Sequence, residues 1–124
     1  MGKLIRLAAV NLDSRDNKTL SHFYKELLEL EDVFANDDFI VLKEPESGVE
    51  FFFQNEPLYE PPVWPNEKDK QGKSIHLDLQ VEDLARAEAR ARSLGAVKAP
   101  VQFLEEDGCV VYFDPAGHPF CLFK

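Results

Sequence analysis

Ser74–Val81 reads SIHLDLQV, and Val110–Phe123 reads VVYFDPAGHPFCLF. In the first run Ile75, Leu77, Leu79 and Val81 alternate with His76, Asp78 and Gln80, the period of two that a half-buried strand requires. One face is apolar and packs on a core. The other carries an imidazole, a carboxylate and an amide in a row, which is costly to bury, so it lines a cleft or meets water. In the second run Asp114-Pro115-Ala116-Gly117 puts Pro and Gly at turn positions between two apolar segments and predicts a β-hairpin. A turn over those four residues pairs Phe113 with His118, Tyr112 with Pro119, Val111 with Phe120 and Val110 with Cys121. That register sets Tyr112 and Cys121 on one face and Phe113, Phe120 and Leu122 on the other. If the hairpin joins the sheet of the first strand, a phenol and a thiol stand near His76. His118 is assigned to the turn itself.

The rest of the chain falls into two similar halves around this stretch. Leu4 to Leu12 reads as a strand, and Asp13-Ser14-Arg15-Asp16 offers helix N-caps. Leu20, Phe23, Tyr24, Leu27 and Leu28 then follow at helical spacing, with His22 off the apolar stripe. Val33–Ala35, Phe39–Leu42 and Val49–Gln54 are short β-prone runs. Residues 55–73 are polar and carry Pro57, Pro61, Pro62 and Pro65, which predicts an extended linker, although Tyr59 and Trp64 need something to pack on. After SIHLDLQV, Leu84, Ala87, Ala91 and Leu94 share a helical face closed by Gly95, and Val97–Leu104, Cys109–Asp114 and Pro119–Phe123 supply three strands. The expectation is therefore α+β: a βαβββ module at 1–54, a linker at 55–73 and a second βαβββ module at 74–124. Their strands are expected to form one open, cup-shaped mixed sheet with the helices outside.

Composition narrows the function classes. With 14 Lys and Arg against 23 Asp and Glu, the net charge of −9 disfavours nucleic acid and anionic membranes. No apolar run reaches transmembrane length and residues 1–10 show no cleavage-site pattern, so a cytoplasmic location is expected. The register above puts Cys109 and Cys121 on opposite faces, which predicts two free thiols rather than a bridge.

The segments FFFQNEPLYEPPVWP (51–65), HLDLQVEDL (76–84), LGA (94–96) and DPAGHPFCL (114–122) resemble the glyoxalase-like domain family. That family lies within the vicinal oxygen chelate superfamily, with glyoxalase I, bleomycin-resistance proteins and extradiol dioxygenases. In its metal-dependent members four ligands come from the first and last strands of each module. The resemblance places those positions at Ala9, within Phe51–Phe53, at His76 and at Cys121. A one-residue slip would bring Glu50 or Gln54 to the second position, and Asp78 reaches the rim. Two donors are fewer than a catalytic ion needs, so no metal cofactor is expected; if one binds, His76 and Cys121 hold it.

Three functional readings follow. The preferred one is a metal-independent binder of a small organic molecule, with His76, Asp78, Trp64, Tyr112, Gln54 and Tyr59 lining the site. In it Trp64 and Tyr59 are either a plug or a ligand platform, and Cys121 is a buried apolar group rather than a nucleophile. The second reading is a metal-dependent lyase, isomerase or dioxygenase. The third is a structural dimer module, and a homodimer is expected in any case from the exposed strand edges and the resemblance.

Overall fold

The computed structural model describes residues 2–124 and divides the chain into two units, one ending at Tyr59 and the other running from Glu60 to Lys124. The first holds β1 (Ala9–Ser14), α1 (Asn17–Leu28), β2 (Glu31–Ala35), β3 (Phe39–Lys43) and β4 (Glu50–Asn55). The second holds β5 (Leu77–Gln80), α2 (Leu84–Ser93), β6 (Val97–Lys98), β7 (Cys109–Phe113) and β8 (Pro119–Phe123), with a short 3₁₀ turn at Glu105–Asp107. Each unit is βαβββ, and the two sheets have the same plan, β1-β4-β3-β2 and β5-β8-β7-β6. In each, the first strand runs parallel to the last and the other pairings are antiparallel. The expected α+β class and strand content are therefore observed, and each sheet is open.

In the first unit Asp16 caps α1, accepting from the Thr19 amide at 3.1 Å and the Thr19 hydroxyl at 2.6 Å. Leu20, Phe23 and Tyr24 are buried, and Tyr24 stacks on Phe51 and Phe53 of β4 at centroid distances of 6.4 and 6.1 Å. Those two phenylalanines share a strand face because they are two residues apart; Phe52 points the other way and is half-exposed. The first strand begins at Ala9 rather than Leu4. Its partner β4 begins only at Glu50, whose amide reaches the Ala8 carbonyl at 2.9 Å, so Leu4, Ile5 and Leu7 have no neighbour to pair with and are exposed.

In the second unit the register of the hairpin differs from the four-residue-turn reading. Asp114 N–H donates to the His118 carbonyl at 3.0 Å, so the loop proper is Pro115–Gly117, three residues long. Gly117 sits at φ +93°, the left-handed position that a three-residue hairpin loop requires, and a Cβ there would lie 2.7 Å from the Cβ of Pro61. The Asp114 carboxylate accepts from the Ala116 and His118 amides and from the His118 ring, so His118 serves the turn. Shortening the loop by one residue makes Val111 oppose Cys121 and Tyr112 oppose Phe120. A shift of one residue exchanges the faces of one strand relative to the other. Tyr112 therefore lies with Val110, Phe120 and Leu122 on the buried side, while Cys109 joins Cys121 on the opposite one. The expected placements of Tyr112 beside Cys121, and of the two cysteines on opposite faces, are both corrected by this loop; the thiols are free, as expected.

Two further differences have local causes. The strand of SIHLDLQV starts at Leu77, and Ile75 is 82% exposed rather than core, because β8 supplies pairing partners only from Phe120 onward. The run from Val97 to Leu104 pairs as a strand only at Val97 and Lys98. Pro100 has no N–H to continue the ladder, and the side chain of Gln102 takes over: its Nε2 donates to the carbonyls of Ala99 and Val111 at 2.9 and 2.8 Å, and its Oε1 accepts from Val111 N–H at 2.8 Å. One amide thus closes the edge of β7. The Pro-rich segment is also folded rather than simply extended, since Val63 N–H bonds the Gln71 carbonyl at 2.8 Å and Val63 bridges Gly72.

Replacing Gln102 by Leu strips three hydrogen bonds and leaves the buried Val111 N–H without its acceptor, while the Val111 carbonyl keeps the Ala99 amide at 3.0 Å. We expect a loss of about 1–3 kcal/mol in urea-induced unfolding. Unchanged stability would remove this side chain from its place in the sheet edge.

Candidate functional site

The two faces of the second sheet do different work. Toward α2, Tyr112 is fully buried, and its hydroxyl accepts from Arg92 at 2.6 Å and donates to Glu88 at 2.7 Å. Lys98 also reaches Glu88, at 3.3 Å, and Glu105 at 2.6 Å. α2 offers little apolar surface beyond Ala91, so this polar network helps fasten it to the sheet. Burial, followed by the Glu88 carboxylate, pushes the Tyr112 phenol up to about 12. Tyr112 is thus a structural group here, and it does not join His76.

The opposite face carries the site. The parallel pairing of β5 with β8 puts Asp78 beside Cys121, and the period of two adds His76, Cys109, Val111 and Pro119 to the same side. Trp64 and Lys73 from the loop, and Phe103 and Leu104 from the segment before β7, complete a mostly apolar cavity of about 270 Å³. Trp64 is fixed from three directions: its indole N–H donates to the Val101 carbonyl at 3.1 Å, its ring meets Phe103 edge-on at 5.8 Å, and the Lys73 ammonium lies 4.8 Å from the ring centre.

At the polar end, His76 Nε2 and Asp78 Oδ1 are 3.1 Å apart, and the ligand-forming atoms of His76, Asp78 and Cys121 all lie within 4.8 Å of one another. Cys, His and Asp together could form a nucleophilic triad, but activation requires the thiol to give its proton to the imidazole. Here burial pushes the Cys121 thiol up to about 12, and Cys109 and the Asp78 carboxylate push the same way. A carboxylate next to the sulfur disfavours the thiolate, so these surroundings hold Cys121 as the neutral thiol rather than as a nucleophile.

Of the residues singled out in the sequence, His76, Asp78, Trp64 and Cys121 meet in this cavity, while Tyr112, Gln54 and Tyr59 do not line it. Gln54 is exposed on β4 opposite Asp13, and the Tyr59 carbonyl accepts from Arg15 Nε at 2.7 Å, both within the first unit. Cys109, Lys73, Phe103 and Leu104 are lining residues that sequence reasoning missed. Cys109 was within reach of it, because a three-residue loop would have turned that thiol to the Cys121 side. In the first unit the register places Ala9 and Phe52 where the second has His76 and Cys121, so the second of the four ligand positions implied by the resemblance is a phenylalanine.

Two βαβββ units of identical strand order agree with the resemblance of the sequence to the vicinal oxygen chelate superfamily. Within it the chain belongs to the glyoxalase-like domain family, whose model matches residues 9–123. A structure described as a possible glyoxalase from Bacillus cereus superposes with a TM-score of 0.71 at 14% identity, over 97% of this chain and 99% of the other. A glyoxalase/bleomycin resistance protein/dioxygenase family enzyme from Burkholderia phytofirmans PsJN gives 0.69 at 16% identity, over 95% and 97%. A mutant of the fosfomycin resistance protein FosX from Listeria monocytogenes, complexed with Mn(II) and 1S,2S-dihydroxypropylphosphonic acid, gives 0.68 at 15% identity, over 98% and 90%. At these identities the likeness is one of fold. The search of curated proteins returned no match.

The donors of the present pocket do not suit Mn(II). That ion is hard and takes carboxylate, carbonyl, water and imidazole ligands, whereas the pocket offers one imidazole, one carboxylate and two thiols. Among the described residues, His76, Asp78 and Cys121 nevertheless form a group that could hold a metal ion of other character.

The raised Cys121 and Tyr112 groups make stability fall at alkaline pH. In the unfolded chain they ionise near 9 and 10, while in the fold both are held near 12. Their contribution is complete below about pH 9 and is lost as pH rises toward 12, because only the unfolded state releases the protons. The melting temperature should fall steadily above pH 9, with a shallower slope in Cys121→Ser. A melting temperature constant between about pH 9 and 11 would contradict the burial of both groups.

Proposed function

We propose that the second unit binds a small organic molecule in the pocket beneath Trp64, and that binding does not depend on a hard catalytic metal such as Mn(II). The observation that carries this reading is the cavity itself. It has apolar walls, a fixed indole on one side and the His76–Asp78 pair at the polar end, the few convergent polar groups on an apolar surface that a small-molecule site needs. The ligand presents a planar or apolar body to Trp64 and Phe103 and a hydrogen-bonding group to His76 or Asp78. Lys73 adds a cation beside the indole, which favours a ligand with some anionic character. The neutral thiol favoured at Cys121 supports binding rather than covalent catalysis.

The test uses Trp64, the chain's only tryptophan, as a built-in reporter. With chelator present, a screen of small aromatic and amide-bearing compounds should yield ligands that shift Trp64 emission and raise the melting temperature. Trp64→Ala and His76→Ala should each abolish the ligand-induced rise, while Gln54→Ala, in the first unit, leaves it intact. Ligand effects that vanish with chelator would replace this reading by a metal-dependent one.

We also propose that the chain assembles as a homodimer, as the exposed Leu4, Ile5 and Leu7 suggest by offering apolar surface that association would cover. Light scattering should give twice the chain mass, and Ile5→Asp should weaken the dimer. A monomer mass at high concentration would refute it. Among the described residues no helix is long and apolar enough to cross a membrane.

A further inference from the structure

We propose that Lys73 sets the ligand class of this pocket: the site takes a small planar monoanion, an aromatic or heteroaromatic carboxylate. Its charge pairs with the Lys73 ammonium while its ring packs on the wall formed by Trp64 and Phe103. The proposal rests on the organic-ligand reading above and names its chemistry. Lys73 stands beside Trp64 because of how residues 63–72 close on themselves. Val63 N–H bonds the Gln71 carbonyl at 2.8 Å and Val63 bridges Gly72, so the residues that follow each, Trp64 and Lys73, leave the neck of the loop side by side. Asn66 tightens that neck. Its Oδ1 accepts from Lys73 N–H at 3.2 Å, and it packs so closely on Gly72 that a Cβ there would lie 2.7 Å from the Asn66 carboxamide. The ammonium is thereby carried to the cavity wall, 4.8 Å from the indole centre.

The charges around it are what select an anion. Lys18, Lys25 and Lys98 each have a carboxylate oxygen at 3.4 Å or less, and Lys68 and Lys70 on the same loop are exposed. Lys73 is half-buried, and among the described residues its ammonium has the indole face but no carboxylate or hydrogen-bond acceptor. A cation–π contact is one of the weaker interactions of a lysine and leaves its N–H groups free to donate. The carboxylate on the cavity wall, Asp78, faces His76 at 3.1 Å and repels a ligand anion from that end, so the anion goes to Lys73 and the body of the ligand lies along the apolar walls. One ammonium against one carboxylate leaves no surplus positive charge for a dianion such as a phosphate monoester. A cavity of about 270 Å³ is also at the small end for a ligand pocket, which favours a flat carboxylate over a bulkier anion.

The test is calorimetric titration of the full chain, in chelator, with matched pairs: benzoates, naphthoates and indole carboxylates, each against its primary amide, which keeps the shape and loses the charge. The acids should bind at least about tenfold more tightly than their amides. Added salt should weaken the acids and leave the amides unchanged. Lys73→Gln should erase the preference without reducing the affinity of the amides, and Lys73→Arg should keep most of it. Lys70→Gln, which removes an exposed charge from the same loop, should leave it intact. Amides that bind as tightly as the acids, or a preference that survives in Lys73→Gln, would overturn this proposal while the organic pocket stands. Binding of no acid and no amide at millimolar concentration would overturn both. Should Lys73→Gln not fold, the unaltered chain still decides, because a preference for acids that is indifferent to salt would sink the ion pair.

Discussion

The meeting of the two thiols at the site depends on the length of one loop. Because Pro115–Gly117 contains three residues, Cys121 stands opposite Val111, and Cys109 and Cys121 come to the same side as Asp78. With four residues, strands β7 and β8 would meet in the other phase, and either the thiols or the large apolar side chains would be on the wrong face. The loop is held to three by several independent bonds: Asp114 is buried with its carboxylate saturated by the Ala116 and His118 amides and the His118 ring. Gly117 alone tolerates both the left-handed backbone and the close approach of Pro61. A turn motif thereby determines the chemistry of a pocket wall.

The same phase explains how a polar face is affordable in so small a unit. Phe120, Leu122, Val110 and Tyr112 are all nearly inaccessible, so the α2 side of the sheet concentrates the apolar burial. Phe120 and Tyr112 pack at 6.1 Å, and the Tyr112 hydroxyl, the polar side-chain atom among these four residues, is satisfied twice by α2. With the core complete on that side, the other face is free to carry His76, Asp78 and Cys121 without support from them. A buried tyrosine and a neutral thiol are two consequences of one desolvated sheet, one structural and one facing a cavity.

The fold was legible because its signals are periodic and local. The α1 stripe at Leu20, Phe23 and Tyr24, the capping aspartates Asp16 and Asp83, and the repeated strand content each follow from neighbours in sequence. Half of the site was legible for the same reason: alternation alone puts His76 and Asp78 together. What failed were properties settled by partners distant in sequence. Ile75 looks like strand interior, but β8 begins pairing at Phe120; Leu4 to Leu7 look like strand, but β4 begins at Glu50. Tyr112 and Cys109 depended on a loop count that Pro and Gly mark but do not fix. Gln102 completing the ladder past Pro100 is a side chain acting as backbone, which neither propensity nor period encodes.

The two units separate what the fold dictates from what residues add. Both use the same strand order and the same helix position, and both place one residue seven before the capping aspartate, Ala9 before Asp16 and His76 before Asp83. The backbone thus offers equivalent sites twice. In the first unit they hold Ala9, Asn11 and Phe52, with Asn11 satisfied by Asp13 at 2.7 Å; in the second they hold His76, Asp78 and Cys121. Relatives of this fold can be solved with Mn(II), yet ion choice resides in donor atoms rather than in strand order. Because the first unit holds Ala9 and Phe52 at these positions and the second holds His76 and Cys121, the chemistry here rests on one pocket and its own side chains.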